Sequence, residues 1–251
     1  MNRSELEQFD EIRPYNDDEV AEVISRLLTT PELITALMKF RFPRLSRWLP
    51  FVLRPLVMRV LSKQLSGIDT VAKIQDVIAG YMQNMIDRST GQLSFSGVQQ
   101  LDPNAAYLFI SNHRDIAMDP AFVNWGLYRN GMKTARIAIG DNLLKKPYVS
   151  DLMRLNKSFI VNRSATGVRG KLKALTQLSA YIDHSISSGH SIWIAQREGR
   201  AKDGNDRTEP AIMKMLYMSL KKRGVSFPDV AKTLHIVPVS ISYEYDPCDA
   251  L

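Results

Sequence analysis

Tyr107-Leu108-Phe109-Ile110-Ser111-Asn112-His113-Arg114-Asp115-Ile116-Ala117-Met118-Asp119-Pro120 is a strand, a tight loop and a helix start written in succession. The aromatic and aliphatic run Tyr107 to Ile110 reads as a buried strand. Asp119-Pro120 has the form of an N-cap and first helical residue, which predicts a helix over Ala121 to Arg129. Strand, short loop and helix in this order are the repeating parts of a layered α/β domain. Between them sits an imidazole, His113, with carboxylates close by at Asp115 and Asp119. An imidazole held by an acid on such a loop can be aimed at a substrate. The plainer alternative is that Asp119 caps its helix and His113 is a polar loop residue.

Working outward, the same alternation recurs. Ala135 to Gly140 is strand-like, and Lys157-Ser158-Phe159-Ile160-Val161-Asn162-Arg163-Ser164 is a short apolar strand ending in an arginine. Ile192-Trp193-Ile194-Ala195 delivers the chain into Gln196-Arg197-Glu198-Gly199-Arg200-Ala201-Lys202-Asp203-Gly204, and Leu234 to Ile241 is a further strand. Helices are predicted between them. One runs over Gly167 to Gly189, with Leu172, Leu175, Leu178, Ile182 and Ile186 near one face and Gly189 as its stop. The other runs over Glu209 to Arg223, where the terminal cations suit the negative end of the helix. The expected fold class is α/β, a largely parallel or mixed sheet flanked by helices. Gly91 to Gly97 alternates like a strand and is expected to open that domain.

The N-terminal third differs in kind. Asp17 to Leu28, Pro31 to Phe40 and Val71 to Asp87 have helical periodicity, the last with Ile74, Val77, Ile78, Tyr81, Met82 and Met85 on one stripe. The expected organisation is a helical region over residues 1–89, followed by an α/β domain over 90–251.

His-Arg-Asp also begins the catalytic loop of protein kinases, with a metal-binding Asn five residues after the Asp. Here that position is Pro120, no Asp-Phe-Gly follows and no glycine-rich loop precedes, so the kinase reading fails.

Four blocks in order, the His/Asp loop, strand-Arg163, strand-Glu198-Gly199-Arg200 and Val237-Pro238-Val239, make the chain resemble the glycerolipid acyltransferases over about Leu101 to Ser242. The resemblance implies transfer of a fatty acyl group from acyl-CoA or acyl-carrier protein to a hydroxyl of a phosphate-bearing glycerolipid, in phospholipid biosynthesis. A compact chain and an interfacial segment suited to an acceptor already in the bilayer favour 1-acylglycerol 3-phosphate over glycerol 3-phosphate. The chain departs from the family twice. The family's Asp lies five residues after its His, whereas Asp119 lies six after His113. Asp119 is the expected orienting acid, and Asp115 is the alternative. The family's Glu-Gly-Thr-Arg or Glu-Gly-Gly-Arg is shortened to Glu198-Gly199-Arg200, which leaves open whether Glu198 or Arg197 stands at the family's Glu. These departures motivate a second reading, a non-catalytic membrane-associated lipid-binding protein. An acyltransferase for glycerol 3-phosphate or an amino-lipid is a third.

The chemistry asks for these residue types. A hydroxyl attacking an acyl thioester must lose its proton, and a neutral imidazole suits that role at physiological pH. A carboxylate on its other nitrogen fixes the tautomer, and general-base help of this kind is worth roughly 10²–10⁴-fold. His113 and Asp119 are therefore the expected catalytic residues. Arg163, Arg197, Glu198, Gly199 and Arg200 are the expected phosphate and substrate site. Guanidinium forks bind phosphate bidentately, and Gly199 and Gly204 let backbone N–H groups approach an anion. Arg163 and Arg200, each following a strand, are expected to converge at one sheet edge. No cofactor is expected beyond the thioester co-substrate. No metal is expected either, since His113, His184, His190 and His235 lack short-spaced ligand pairings. Cys248, the single cysteine, reads as an inert thiol in a reducing compartment.

The net charge of +7 and a pI near 9.5 point to acidic partners. No nucleic-acid-binding motif is present, and an anionic membrane surface fits better. Phe40 to Lys63 mixes bulky apolar residues with cations and contains no acid. Its arginines recur too often for a membrane span. It reads either as a segment lying in the membrane interface or as a buried helix pair broken at Pro50 and Pro55. Met1-Asn2-Arg3-Ser4-Glu5 has no signal-peptide character. The expected location is the cytoplasmic side of a membrane, peripheral or monotopic.

Overall fold

The computed structural model describes residues 8–202 and 205–245. Among the described residues the first helices are α1 (Asp17–Thr29), α2 (Pro31–Arg41), α3 (Leu45–Trp48), α4 (Pro50–Leu65) and α5 (Val71–Ser89). Then follow β1 (Leu108–Ser111), α6 (Met118–Arg129), β2 (Arg136–Gly140), α7 (Pro147–Leu155), β3 (Ser158–Val161) and α8 (Gly167–Ser187). β4 (Ile192–Ala195), α9 (Pro210–Lys222), α10 (Val230–Thr233) and β5 (Ile236–Val239) are the last of the described residues' helices and strands. They divide into two compact units, a helical one of residues 14–77 with 144–157 and an α/β one of the remainder.

In the helical unit, α1 starts where the Glu19 carboxylate accepts the Asn16 N–H at 2.7 Å, with Asp17, Asp18 and Glu19 at the positive end of the helix. Its apolar stripe, Val20, Val23, Ile24 and Leu27, is buried. Asp151 on α7 is clasped by Arg26 (Nε–Oδ2 2.9 Å) and by the Tyr15 hydroxyl (2.6 Å). Burial pushes the Asp151 carboxyl upward, but the hydrogen bonds from Arg26 and Tyr15 outweigh it and hold it below its ordinary range.

The segment Phe40 to Lys63 is helical on both sides of Pro50, and the predicted break at Pro55 does not occur. Pro50 takes the first position of α4, and the helix runs through Pro55. The one bond that Pro55 forgoes would fall on the carbonyl of Phe51, a residue 90% exposed, where water can replace it. Leu53 is buried against Ile34 and Met38 of α2. Phe40, Trp48, Leu49, Phe51, Val52 and Leu56 are exposed. Among the described residues, no helix is long and apolar enough to cross a membrane.

The α/β unit holds a five-stranded sheet in the order β3-β2-β4-β1-β5, parallel throughout. β1 is central to the site, with Leu108 opposite Ile192 of β4 and Ile236 of β5. Both faces are covered, which is why the strands read as unbroken apolar runs. Leu108, Ile192, Ile194 and Phe159 pack with Tyr181 and Ile182 of α8 and Leu216 and Leu220 of α9. Phe109 and Trp193 pack with Leu127, Met132 and Ala135 on the other face. The α8 stripe is buried only in its second half. Leu178, Ile182 and Ile186 are in the core, while Leu172 and Leu175 are 56% and 43% exposed.

Gly91 to Gly97 forms no strand, contrary to its alternation. The alternation has another cause: the Phe95 ring lies against Gly126 of α6, where a Cβ would come within 2.8 Å of it. Because every strand is parallel, the loops after β1, β2, β3, β4 and β5 gather at one edge, the carboxyl edge where ligands of open α/β sheets bind.

Candidate active site

His113 follows the carboxyl end of β1 and is partly buried, its ring edge-on to Trp193 at 5.9 Å. Its Nδ1 lies 2.9 Å from Oδ2 of Asp119, which is completely buried. The same oxygen accepts the backbone N–H of Arg114 at 2.7 Å and of Asp115 at 3.0 Å, and Oδ1 accepts the Tyr243 hydroxyl at 2.6 Å. Four donors and the positive end of α6 thus compensate a carboxylate with no access to water. An ionised acceptor at Nδ1 selects the tautomer with its proton there, leaving the Nε2 lone pair outward. Among the described residues, Nε2 has no hydrogen-bond partner.

The two acids divide their work differently from the sequence reading of the cap. α6 begins at Met118, two residues before the first helical residue expected at Pro120, and Asp119 lies inside it. Asp115 instead closes the turn that leads into the helix: its Oδ1 accepts the N–H of Ala117, the N-cap residue, at 2.8 Å and of Met118 at 2.6 Å. The Asp119 carboxylate is turned back onto the loop toward His113, so it cannot also serve the helix end. The extra residue between His113 and Asp119 is absorbed in the loop that Asp115 closes.

The loop after β4 clamps this arrangement. Asp206 accepts the backbone N–H of His113 at 2.5 Å through Oδ2 and the Gln196 amide at 3.0 Å through Oδ1. The Ala201 N–H donates to the His113 carbonyl at 2.8 Å, and the Asn112 amide exchanges two hydrogen bonds with the Ile241 backbone. Trp193 Nε1 donates to Ser111 Oγ at 3.0 Å, fixing the ring beside the imidazole.

The expected phosphate residues lie on two loops of the same sheet edge. Arg163 follows β3 and its side chain passes over Gly140, where a Cβ would crowd the Asn142 amide oxygen and meet the Arg163 Cδ at 2.9 Å, so those side chains would have to shift. The Asp141 carboxylate holds the N–H groups of Arg163 and Ser164 and the Ser164 hydroxyl. Burial raises the Asp141 carboxyl, but these donors and the Asn142 N–H outweigh it, so it stays below its ordinary range. The partner that the structure brings to Arg163 is Glu198, at 3.8 Å, a loose and exposed pair worth little in water. Arg197 turns back to the carbonyl of Asn205 at 2.9 Å. Gly199 adopts a left-handed backbone (φ 75°), a conformation that costs other residues, and Arg200 beyond it is partly buried. Gly204 and Cys248 lie outside the described residues.

Sequence reasoning missed Tyr243, Asp206, Asp141 and Gly140. Tyr243 stands 124 residues from Asp119 and Asp206 stands 93 from His113, so spacing carries no sign of either contact. Gly140 was legible in principle, as a glycine ending a strand where another chain segment must pass.

The family model described as Acyltransferase matches residues 92–242. No curated protein matches the chain. Among solved structures, chloroplast FtsY from Physcomitrella patens aligns at 15% identity over 92% of this chain and 71% of that one. Its TM-score is 0.28, too low to bear on fold or function. The family match spans β1 to β5 together with the His113 loop and both arginine loops, well over half the sequence, and the chain belongs to the acyltransferase family.

Proposed function

We propose that the protein transfers a fatty acyl group from acyl-CoA or acyl-carrier protein to the free hydroxyl of a phosphate-bearing glycerolipid, 1-acylglycerol 3-phosphate before others. The reading rests above all on the His113–Asp119 pair at the carboxyl end of β1, in a chain of this family. His113 Nε2 takes the proton of the acceptor hydroxyl as its oxygen attacks the thioester carbonyl carbon. The tetrahedral species collapses, the C–S bond breaks, and the imidazolium returns the proton to the departing thiolate. Asp119 stays ionised throughout and stabilises the imidazolium. No acyl-enzyme is needed.

Arg163, Arg200 and the Gly199 backbone supply the acceptor phosphate with guanidinium forks and an approachable N–H. The weak Arg163–Glu198 contact is one that a phosphate displaces easily. Arg197, already bound to its own loop, serves by keeping that loop in shape.

The acceptor is drawn from an anionic bilayer surface, against which α3 and α4 lie. Trp48 and Phe51 are 84% and 90% exposed, and the segment carries Arg41, Arg44, Arg47, Arg54, Arg59 and Lys63 with no acid. That composition suits the acyl–headgroup boundary.

Of the two departures behind the degenerate-site alternative, the longer His-to-Asp spacing still yields a 2.9 Å contact, which favours the catalytic reading. The test is incubation of the purified protein with labelled acyl-CoA and acyl-carrier thioesters and a panel of acceptors. Labelled product on 1-acylglycerol 3-phosphate supports the reading. Transfer to no phosphate-bearing acceptor, or to an amino-lipid alone, rejects it.

A further inference from the structure

We infer that Tyr243 is a positioning residue of the active site, one that sets the basicity of His113 through Asp119. The proposal rests on the reading of His113 as general base, but its closing measurement does not require turnover.

The residue follows β5, one position beyond the family match, on the loop that leaves the sheet's carboxyl edge. Its hydroxyl donates to Oδ1 of Asp119 at 2.6 Å, a short bond of the kind phenols make to ionised carboxylates. The other Asp119 oxygen already serves His113 and two backbone N–H groups. Tyr243 is therefore what occupies the second oxygen of a carboxylate that water cannot reach. Its ring is seated near Phe122 of α6 at 6.0 Å between centroids, so the hydroxyl is aimed from a fixed base. A second lock acts on the same loop: the Asn112 amide pairs with the Ile241 backbone two residues earlier, tying the Tyr243 segment to the residue preceding His113.

Two consequences follow from the geometry. Held at both oxygens, the carboxylate cannot rotate about its Cβ–Cγ bond, so Oδ2 stays in line with Nδ1. Donation to Oδ1 also draws negative charge away from Oδ2, which weakens the pull of Asp119 on the imidazolium. Deleting the hydroxyl should restore that pull and make His113 the stronger base.

The groups facing the His113 ring are Asp119 from α6 and the Trp193 ring from β4, with the Asp206 carboxylate reaching its backbone N–H from the loop after β4. Of these three groups, Asp119 is the one to which the Tyr243 hydroxyl donates, so its removal acts on His113 through Asp119.

The experiment compares wild-type protein with Tyr243→Phe, which keeps the ring and deletes the hydroxyl. The His113 ring is titrated by NMR in both, with His113→Gln used to assign its resonance. The expected result is an upward shift of the His113 pKa in the Phe variant, by roughly half a unit or more, with an unchanged fold by circular dichroism. A His113 titration that stays in place or moves down overturns the proposal. In turnover, the acidic limb of the kcat/KM profile should move to higher pH in step with the titration, with the KM for both substrates little changed. A variant with a wild-type profile also overturns it. If wild-type protein transfers no acyl group but the titration still shifts, the acyltransferase reading fails and the coupling stands.

Discussion

At the scale of single residues, the division of labour between Asp115 and Asp119 is what the mechanism depends on. Asp119 is buried and faces His113, while Asp115 holds the start of α6. Asp119→Asn keeps the shape and can still accept from Nδ1 and meet the Tyr243 hydroxyl with its amide. It removes the charge that stabilises the imidazolium, so kcat should fall by roughly 10²-fold or more. Asp115→Asn should leave kcat within a few-fold, since an Asn side-chain oxygen can accept the same two N–H groups of the turn. Steady-state kinetics on the two variants decide the matter, and the opposite ranking would make Asp115 the orienting acid. Arg200 is a separate case. A phosphate bound alike in ground and transition states shows in KM more than in kcat. Arg200→Gln should therefore raise the acceptor KM and spare that for acyl-CoA, with Arg200→Lys restoring only part because an ammonium lacks the fork. A rise in the acyl-CoA KM instead would place Arg200 at the nucleotide phosphates.

At the scale of elements, α4 has a buried face and an exposed one, and the proposed function gives the exposed one to the membrane. Leu53 fills a buried place beside Ile34 and Met38, so Leu53→Ala should destabilise the protein by about 2–5 kcal/mol, read as a fall in Tm. Trp48→Ser with Phe51→Ser changes only exposed positions. That double variant should keep its Tm and lose binding to vesicles containing anionic lipid, measured by cosedimentation. Unaltered vesicle binding would remove α3 and α4 from the membrane assignment. The strands were legible because a parallel sheet covered on both faces needs unbroken apolar runs, and β4 matches Ile192 to Ala195 to the residue. The helix after β1 was misjudged at its start because two acids lie within reach of its first turn, and spacing alone does not say which one turns away. Gly91 to Gly97 was misjudged because alternation reports packing on one side, which Phe95 achieves without a strand partner.

At the scale of the whole molecule, local chemistry was legible and long-range chemistry was not. His113 and Asp119 are six residues apart, so one loop brings them together and a sequence can declare it. Tyr243, Asp206 and the Arg163–Glu198 contact come from the order of strands in the sheet, which no stretch of sequence states. A net charge of +7 agrees with work at an anionic surface but names no substrate. The central claim is that His113 is the base for acyl transfer. Its most direct test is the rate of labelled acyl transfer to 1-acylglycerol 3-phosphate by His113→Ala beside wild-type protein, at matched folding and vesicle binding. The account predicts turnover lowered by roughly 10²-fold or more, and a variant that turns over at the wild-type rate would contradict it.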